Sequence, residues 1–225
     1  LIGAAGRMGQ TISDLAQSDP EIEIAARCDL GDPIEPAIKN CDVAIDFSHA
    51  DAIDKICEVA LTNRRSLVIG TTGHSQEQRT LIDEAARWVP IVFASNFSVE
   101  VNVLFWLARK AAEFLGPGFS AEIIETHHKM KKDAPSGTAK TLAEILKAAQ
   151  KCQSELPNES IRQGDVVVAH SVSFSGHGER LELTLGAVRR ELFSLGPWRQ
   201  AKRIVAKPPK TDSILEDRGD RNYSR

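Results

Sequence analysis

Residues 127–140, HHKMKKDAPSGTAK, gather two histidines, four lysines, an aspartate and a Pro-Ser-Gly-Thr turn into fourteen positions. An imidazole titrates near neutral pH and can deliver a proton; flanking ammonium groups lower its pKa and flanking carboxylates raise it. Ser136 or Thr138 can cap the helix required by the TAKTLAEILKAAQK pattern that follows, and Gly137 lets the chain turn so that the helix's first N–H groups face an anion. Lys131 or Lys132 can clamp a second anionic group. Proton donor, cations and N–H cradle together suit a small carboxylate, with Asp133 ordering the loop. A solvated charge run beside a helix is the plain alternative. Strand alternation sends Glu125 and His127 one way, Thr126 and His128 the other. Both histidines can serve one pocket only if the strand ends or twists there, and Pro135 and Gly137 favour an early end.

A second constellation stands at the start of the chain. GAAGRMG spaces Gly3, Gly6 and Gly9 between an apolar stub and a helical pattern, with one residue more between the first two glycines than in the commonest dinucleotide fingerprint. Glycines let backbone N–H groups approach a pyrophosphate, and the helix N-terminus adds partial positive charge. Asp29, about twenty residues beyond Gly9, is placed to accept hydrogen bonds from ribose hydroxyls. Its charge repels a 2′-phosphate, whereas Arg7 and Arg27 attract one, so NADH and NADPH both remain open. GTTG at 70–73 and ASNFS at 94–98 end later strands on the same sheet edge, where doubly wound folds bind ligands. Ordinary turn chemistry is the other reading of each.

These residues need elements to position them. Over 1–97, apolar segments (21–29, 41–48, 65–73, 89–98) alternate with helical patterns (RMGQTISDLAQSD, DAIDKICEVALTN, SQEQRTLIDEAARW), which predicts a doubly wound, Rossmann-like parallel sheet. From 98 to 190 the grammar changes: a helix over about 99–115 ending at GPG, a strand SAEIIETHH, the crowded loop, an amphipathic helix, then two antiparallel strands around GHGE. This predicts an α/β chain with a dinucleotide-binding domain (1–97) and a smaller α+β domain with a mixed open sheet (98–190). The segment 191–225 contains a Gly-Pro break and is expected to pack back on the first domain. The tail EDRGDRNYSR reads as disordered, and the absence of an initial Met suggests that the first strand begins upstream.

Composition narrows the function classes. The chain has 28 Lys+Arg against 31 Asp+Glu, a formal charge of −3, so no global basic field supports nucleic-acid or membrane-surface binding. No apolar run has the length of a membrane span and no signal peptide is recognisable, so a cytoplasmic location is expected. Cys28, Cys41, Cys57 and Cys152 are scattered without a CxxC pair, which favours reduced thiols over a zinc site or disulfides, and no metal site is expected.

In order along the chain, GAAGRMG, DVAIDFS, VIGTTG, SNFSVEVN, EIIETHHKMKKDAPSGTA and GERLELTLGAVRRELF resemble the 4-hydroxy-tetrahydrodipicolinate (dihydrodipicolinate) reductase family of lysine and diaminopimelate synthesis. The resemblance implies NADH- or NADPH-dependent reduction of a cyclic dicarboxylic imine, with a homotetramer built on the sheet of the second domain. It gives His127 the acid/base role and Lys131 the catalytic lysine role. His128, Ser136, Gly137, Thr138 and Arg190 match positions that bind substrate carboxylates. The resemblance and the glycine-loop reading together make Gly3, Gly6, Arg7, Met8, Gly9, Asp29, Gly70, Thr71, Thr72, Ser95, Asn96 and Phe97 the cofactor-binding set. The family's terminal aromatic motif is not recognisable in PKTDSILEDRGD.

Overall fold

The computed structural model describes residues 1–164, 166–188, 192–205, 207–209 and 211–212, with backbone only for 192–194 and 211–212. Arg190 and the tail beyond 212, both named above, lie outside the described residues. The chain divides into two compact units, one of residues 1–97 with 191–225 and one of residues 98–190.

In the first unit, short apolar segments form parallel strands β1 (Val43–Asp46), β2 (Ser66–Ile69) and β3 (Ile91–Phe93). Ladder pairs Ala44↔Leu67 and Leu67↔Ile91 fix their register. Ile2 makes parallel bridges to both Cys28 and Asp46, so the first expected strand lies between the second and the third. The expected strand at 21–29 is present only as this bridge at Cys28. Its EIEIAA stretch, half-buried or exposed throughout, has no buried face to hold it in a ladder. Helices α1 (Arg7–Gln17), α2 (Ile34–Lys39), α3 (Ile53–Asn63) and α4 (Gln76–Ala85) connect these strands. Of these, α2 was not expected from the sequence.

Residues Ile53, Ile56, Leu67, Ile69, Ile82 and Ile91 are fully buried between helices and one sheet face. Each such side chain contributes about 1.5–3 kcal/mol by leaving water. On the other face, Ile12, Ile45, Val68 and Val92 pack with Trp198, Ala201 and Ile204 of a later helix, numbered below as α7.

The second unit has a mixed sheet of order β5-β4-β6-β7, formed by β4 (Ser120–His127), β5 (Asn158–Arg162), β6 (Val168–Gly176) and β7 (Glu179–Ala187). β5 runs parallel to β4, whereas β6 is antiparallel to both β4 and β7. α5 (Val99–Leu115) and α6 (Gly137–Gln150) bury Leu104, Ala108, Leu142 and Leu146 against Ile123, Val172 and Phe174 of the sheet. β4 alternates strictly, with Ala121, Ile123, Glu125 and His127 buried on this face.

Returning to the first unit, α7 (Leu192–Ile204) continues through Pro197, where a break was expected, and β8 (Thr211–Asp212) pairs with β3. The lost N–H costs one helical bond. Apolar packing of Trp198 and Ile204, and the indole N–H donated to Asp19 at 2.8 Å, hold the helix nonetheless. A Cβ at Gly196 would collide with the Phe97 backbone, so glycine permits this close approach.

Candidate active site

The glycine loop belongs to the first unit. Gly3 adopts φ +78°, and a Cβ there would strike the Phe47 carbonyl; a Cβ at Gly9 would strike Gly3 and Ala4. Only glycine lets the loop lie this close to the strand ends. Gly6 is the N-cap of α1 and lends it no side-chain cap, and a helix start of this kind offers first-turn N–H groups to an anion. The loop lies beside the boundary between Ile2 and β1, where the strand order reverses; doubly wound sheets bind nucleotides at that place.

The Asp29 carboxylate accepts the Ala5 N–H through both oxygens at 3.0 Å, which ties the end of the second apolar segment to the glycine loop. Gly70 leaves room for the Phe47 ring, which a Cβ would enter. Phe47 in turn meets Phe97 with centroids 6.1 Å apart. Thr71 is buried, and its Oγ1 has no hydrogen-bond partner among the described residues. Thr72 is exposed, and Ser95 and Asn96 are half-buried beyond β3. These residues fit a dinucleotide: a cradle without Cβ atoms, a helix start, an acid at the loop and a buried unsatisfied hydroxyl.

The crowded loop belongs to the second unit. β4 ends at His127, so His128 opens the loop, half-buried, and its carbonyl accepts the Lys131 N–H at 3.1 Å. Ser136 is the N-cap of α6: its backbone is extended and its Oγ accepts the Ala139 N–H at 3.2 Å. Gly137 and Thr138 therefore occupy the first turn, whose N–H groups no helix can satisfy internally. The Lys131 ammonium lies 2.8 Å from both Asp133 oxygens, in agreement with the loop-ordering role expected of that acid. Lys132 is exposed.

Behind this loop four elements converge. Glu125, with no solvent exposure, presents Oε2 to His127 Nδ1, a contact that becomes an ion pair when the imidazole is protonated. Its Oε1 accepts from Arg162 Nη2 at 2.9 Å and from the Ser136 N–H at 3.3 Å. Arg162 Nη2 also donates to the Asp133 carbonyl at 2.6 Å. His170 lies opposite Glu125 in the β4–β6 ladder. Its ring meets that of His127 edge-on at 5.3 Å, and its Nε2 is 3.1 Å from Ser136 Oγ, the tautomer deciding which atom donates.

Burial favours neutral imidazoles here. It is the largest influence on His127, whose pKa lies below the ordinary value; Lys131 and Arg162 push it the same way and Glu125 opposes them. Burial also brings His170 down to about 4, helped by His127. Burial pushes the Glu125 pKa up, but hydrogen bonds from Arg162 and Ser160, with His127 nearby, outweigh it and leave the carboxyl below its usual range. Donor atoms of Glu125, His127 and His170 lie within 4.8 Å of one another, the composition of a divalent-ion site. The Arg162 guanidinium already brings a cation to that carboxylate, so the cluster reads as a proton-handling site.

Sequence reasoning joined His127, Lys131, Ser136, Gly137 and Thr138 into one segment, and the structure keeps them together. It missed Arg162 and His170. His170 had one local signal: a polar residue at a buried position in the alternating VAHSVSFS strand.

Residues 1–97 match the family described as dihydrodipicolinate reductase, N-terminus, and residues 100–216 its C-terminus. A 4-hydroxy-tetrahydrodipicolinate reductase of Akkermansia muciniphila is 44% identical over 93% of this chain and 92% of its own length. A Stenotrophomonas maltophilia protein of the same name is 40% identical over 92% and 91%. Among solved structures, dipicolinate-bound dihydrodipicolinate reductase from Paenisporosarcina sp. TG-14 shares the fold at a TM-score of 0.75 and 21% identity, covering 96% of this chain and 97% of that one. With both segments matched by one family and relatives of this identity aligned almost end to end, the chain belongs to the dihydrodipicolinate reductase family.

Proposed function

We propose that the chain reduces the cyclic dicarboxylic imine dihydrodipicolinate, formed from 4-hydroxy-tetrahydrodipicolinate, to tetrahydrodipicolinate in lysine and diaminopimelate synthesis. Family membership supports the reaction. The single structural observation that carries the assignment of residues is the buried Glu125–His127 pair directly behind the Ser136-capped start of α6. A bound reduced nicotinamide supplies a hydride to the unsaturated ring.

The residues that would hold that nicotinamide dinucleotide are Gly3, Gly6, Gly9, Arg7 and Met8 at the pyrophosphate, Asp29 at a ribose, and Gly70, Thr71, Thr72, Ser95, Asn96 and Phe97 along the strand ends. Asp29 favours NADH, because its charge opposes a 2′-phosphate. On the second unit, Ser136, Gly137 and Thr138 hold one substrate carboxylate through the helix start, and His128 and Arg190 contribute to its recognition. Lys131 leaves Asp133 to neutralise the second carboxylate and the charge that develops during reduction. Once the ring is electron-rich, His127 as the imidazolium donates a proton to the ring carbon, becomes neutral imidazole and is reprotonated from solvent. Two negative charges on the ring carboxylates and the need for one proton source account for why cations and histidines crowd this loop.

The same reading extends to assembly and location. β7 exposes most of its length, including a Leu181 that is 41% exposed, a surface suited to the contacts of a homotetramer. Four free cysteines suit the reducing cytoplasm, and no described helix is long and apolar enough to cross a membrane. The test of function is a coupled assay: substrate made freshly by the preceding condensation, nicotinamide absorbance followed with each cofactor. Turnover in the wild type and a fall of about 10²–10⁴-fold in His127→Gln are expected. No turnover by the wild type with either cofactor would overturn the function, and full turnover by His127→Gln would remove that residue from the mechanism.

A further inference from the structure

A carboxylate wholly removed from water is costly, and a buried ion pair rarely adds stability over well-packed apolar side chains. Glu125 is such a carboxylate, and every group around it leads to the site. Two positions along β4 it meets His127; from β5, Arg162 pairs with His127 in the ladder and binds Glu125 through its guanidinium; from β6, His170 stands opposite Glu125; from the start of α6, Ser136 gives Glu125 its N–H.

We propose that Glu125 is a positioning residue for the reduction: its Oε2 engages His127 at Nδ1 and leaves Nε2 as the nitrogen that meets substrate, while Arg162 and the Ser136 N–H hold Oε1. This rests on the reading of His127 as proton donor. Arg162 has a second task in the same device. One nitrogen, Nη2, reaches both Glu125 Oε1 and the Asp133 carbonyl, so the carboxylate that orients the imidazole also anchors the loop carrying Lys131. Proton donor and lysine are thereby tied to one buried point.

The groups facing His127 have defined signs. Glu125 on its own strand is negative and favours the imidazolium; Arg162 on β5 and Lys131 in the loop are positive and disfavour it; Asp133 offsets Lys131; His170 on β6 is neutral at working pH. Removing Glu125's charge must therefore move His127's titration to lower pH, and removing Arg162's must move it to higher pH. A purely structural role predicts neither shift.

The experiment uses the full chain and reads imidazole titration by long-range ¹H–¹⁵N NMR together with the pH profile of kcat/KM, in the wild type, Glu125→Gln, Glu125→Asp, Arg162→Gln and His127→Gln. In Glu125→Gln both His127's titration and the high-pH limb of kcat/KM move down by about one pH unit, a loss of about tenfold above the limb. In Arg162→Gln both move up, and Glu125→Asp restores the limb toward wild type with reduced kcat. Unmoved titration in a folded Glu125→Gln overturns the proposal. If that variant does not fold, Arg162→Gln decides: a limb moved to higher pH supports the proposal and an unmoved limb overturns it. Full turnover in His127→Gln is a different failure, that of the proton-donor reading.

Discussion

His170 makes the interior of the second unit sensitive to acid. The residue is 2% exposed, and burial, which penalises the imidazolium, brings its pKa from 6.5 down to about 4. With the folded pKa depressed, the unfolded chain binds the proton first, so stability is intact above about pH 6.5 and falls as pH drops. The shift corresponds to a loss of about 3 kcal/mol once the folded state is protonated too, and about 2 kcal/mol at about pH 5. His127, also lowered by burial, adds a loss of the same sign. The perturbation is His170→Gln, which keeps a partner for Ser136 Oγ and cannot gain a proton. Urea unfolding at pH steps between about 7.5 and 4.5, with hydrogen exchange of β6 amides as the local reporter, measures the slope. The variant carries some pH-independent loss of packing, but its stability declines by about 2 kcal/mol less than wild type over this window. Equal slopes in the two proteins would refute the reasoning.

Lys131→Ala removes the partner of Asp133 and the cation proposed for the second carboxylate; KM rises and kcat falls together, and steady-state kinetics showing neither would contradict its assignment. Asp29→Asn raises kcat/KM with NADPH relative to that with NADH, since a charge that repels a 2′-phosphate is lost; a ratio unchanged would place the adenosine ribose elsewhere. Leu142→Ala opens a cavity beneath α6, where the side chain has no exposure, and lowers stability by about 2–5 kcal/mol in urea unfolding.

How much of this was written in local sequence differs by element. Helices α1, α3, α4, α5 and α6 each carry an apolar stripe at helical spacing and could be read directly. α2 could not: IEPAIK is six residues with a proline inside, too short for periodicity. β5, NESIR, has neither an apolar run nor a buried face and exists because β4 offers it a parallel edge. The site divides the same way. His127, Lys131 and Ser136 are neighbours in sequence, so their types and spacing proclaim one another. Arg162 and His170 come from strands that only the folded sheet brings alongside β4, and nothing in their own surroundings names Glu125 as the group they share.

The most direct test of the central claim is a crystal of the protein soaked with NADH and pyridine-2,6-dicarboxylate, a planar diacid. One carboxylate is expected at the N–H groups of Gly137 and Thr138, with Lys131 swung from Asp133 to the other and the His127 ring facing the diacid through Nε2. A diacid bound with full occupancy away from α6, with the Lys131–Asp133 pair undisturbed, would contradict it.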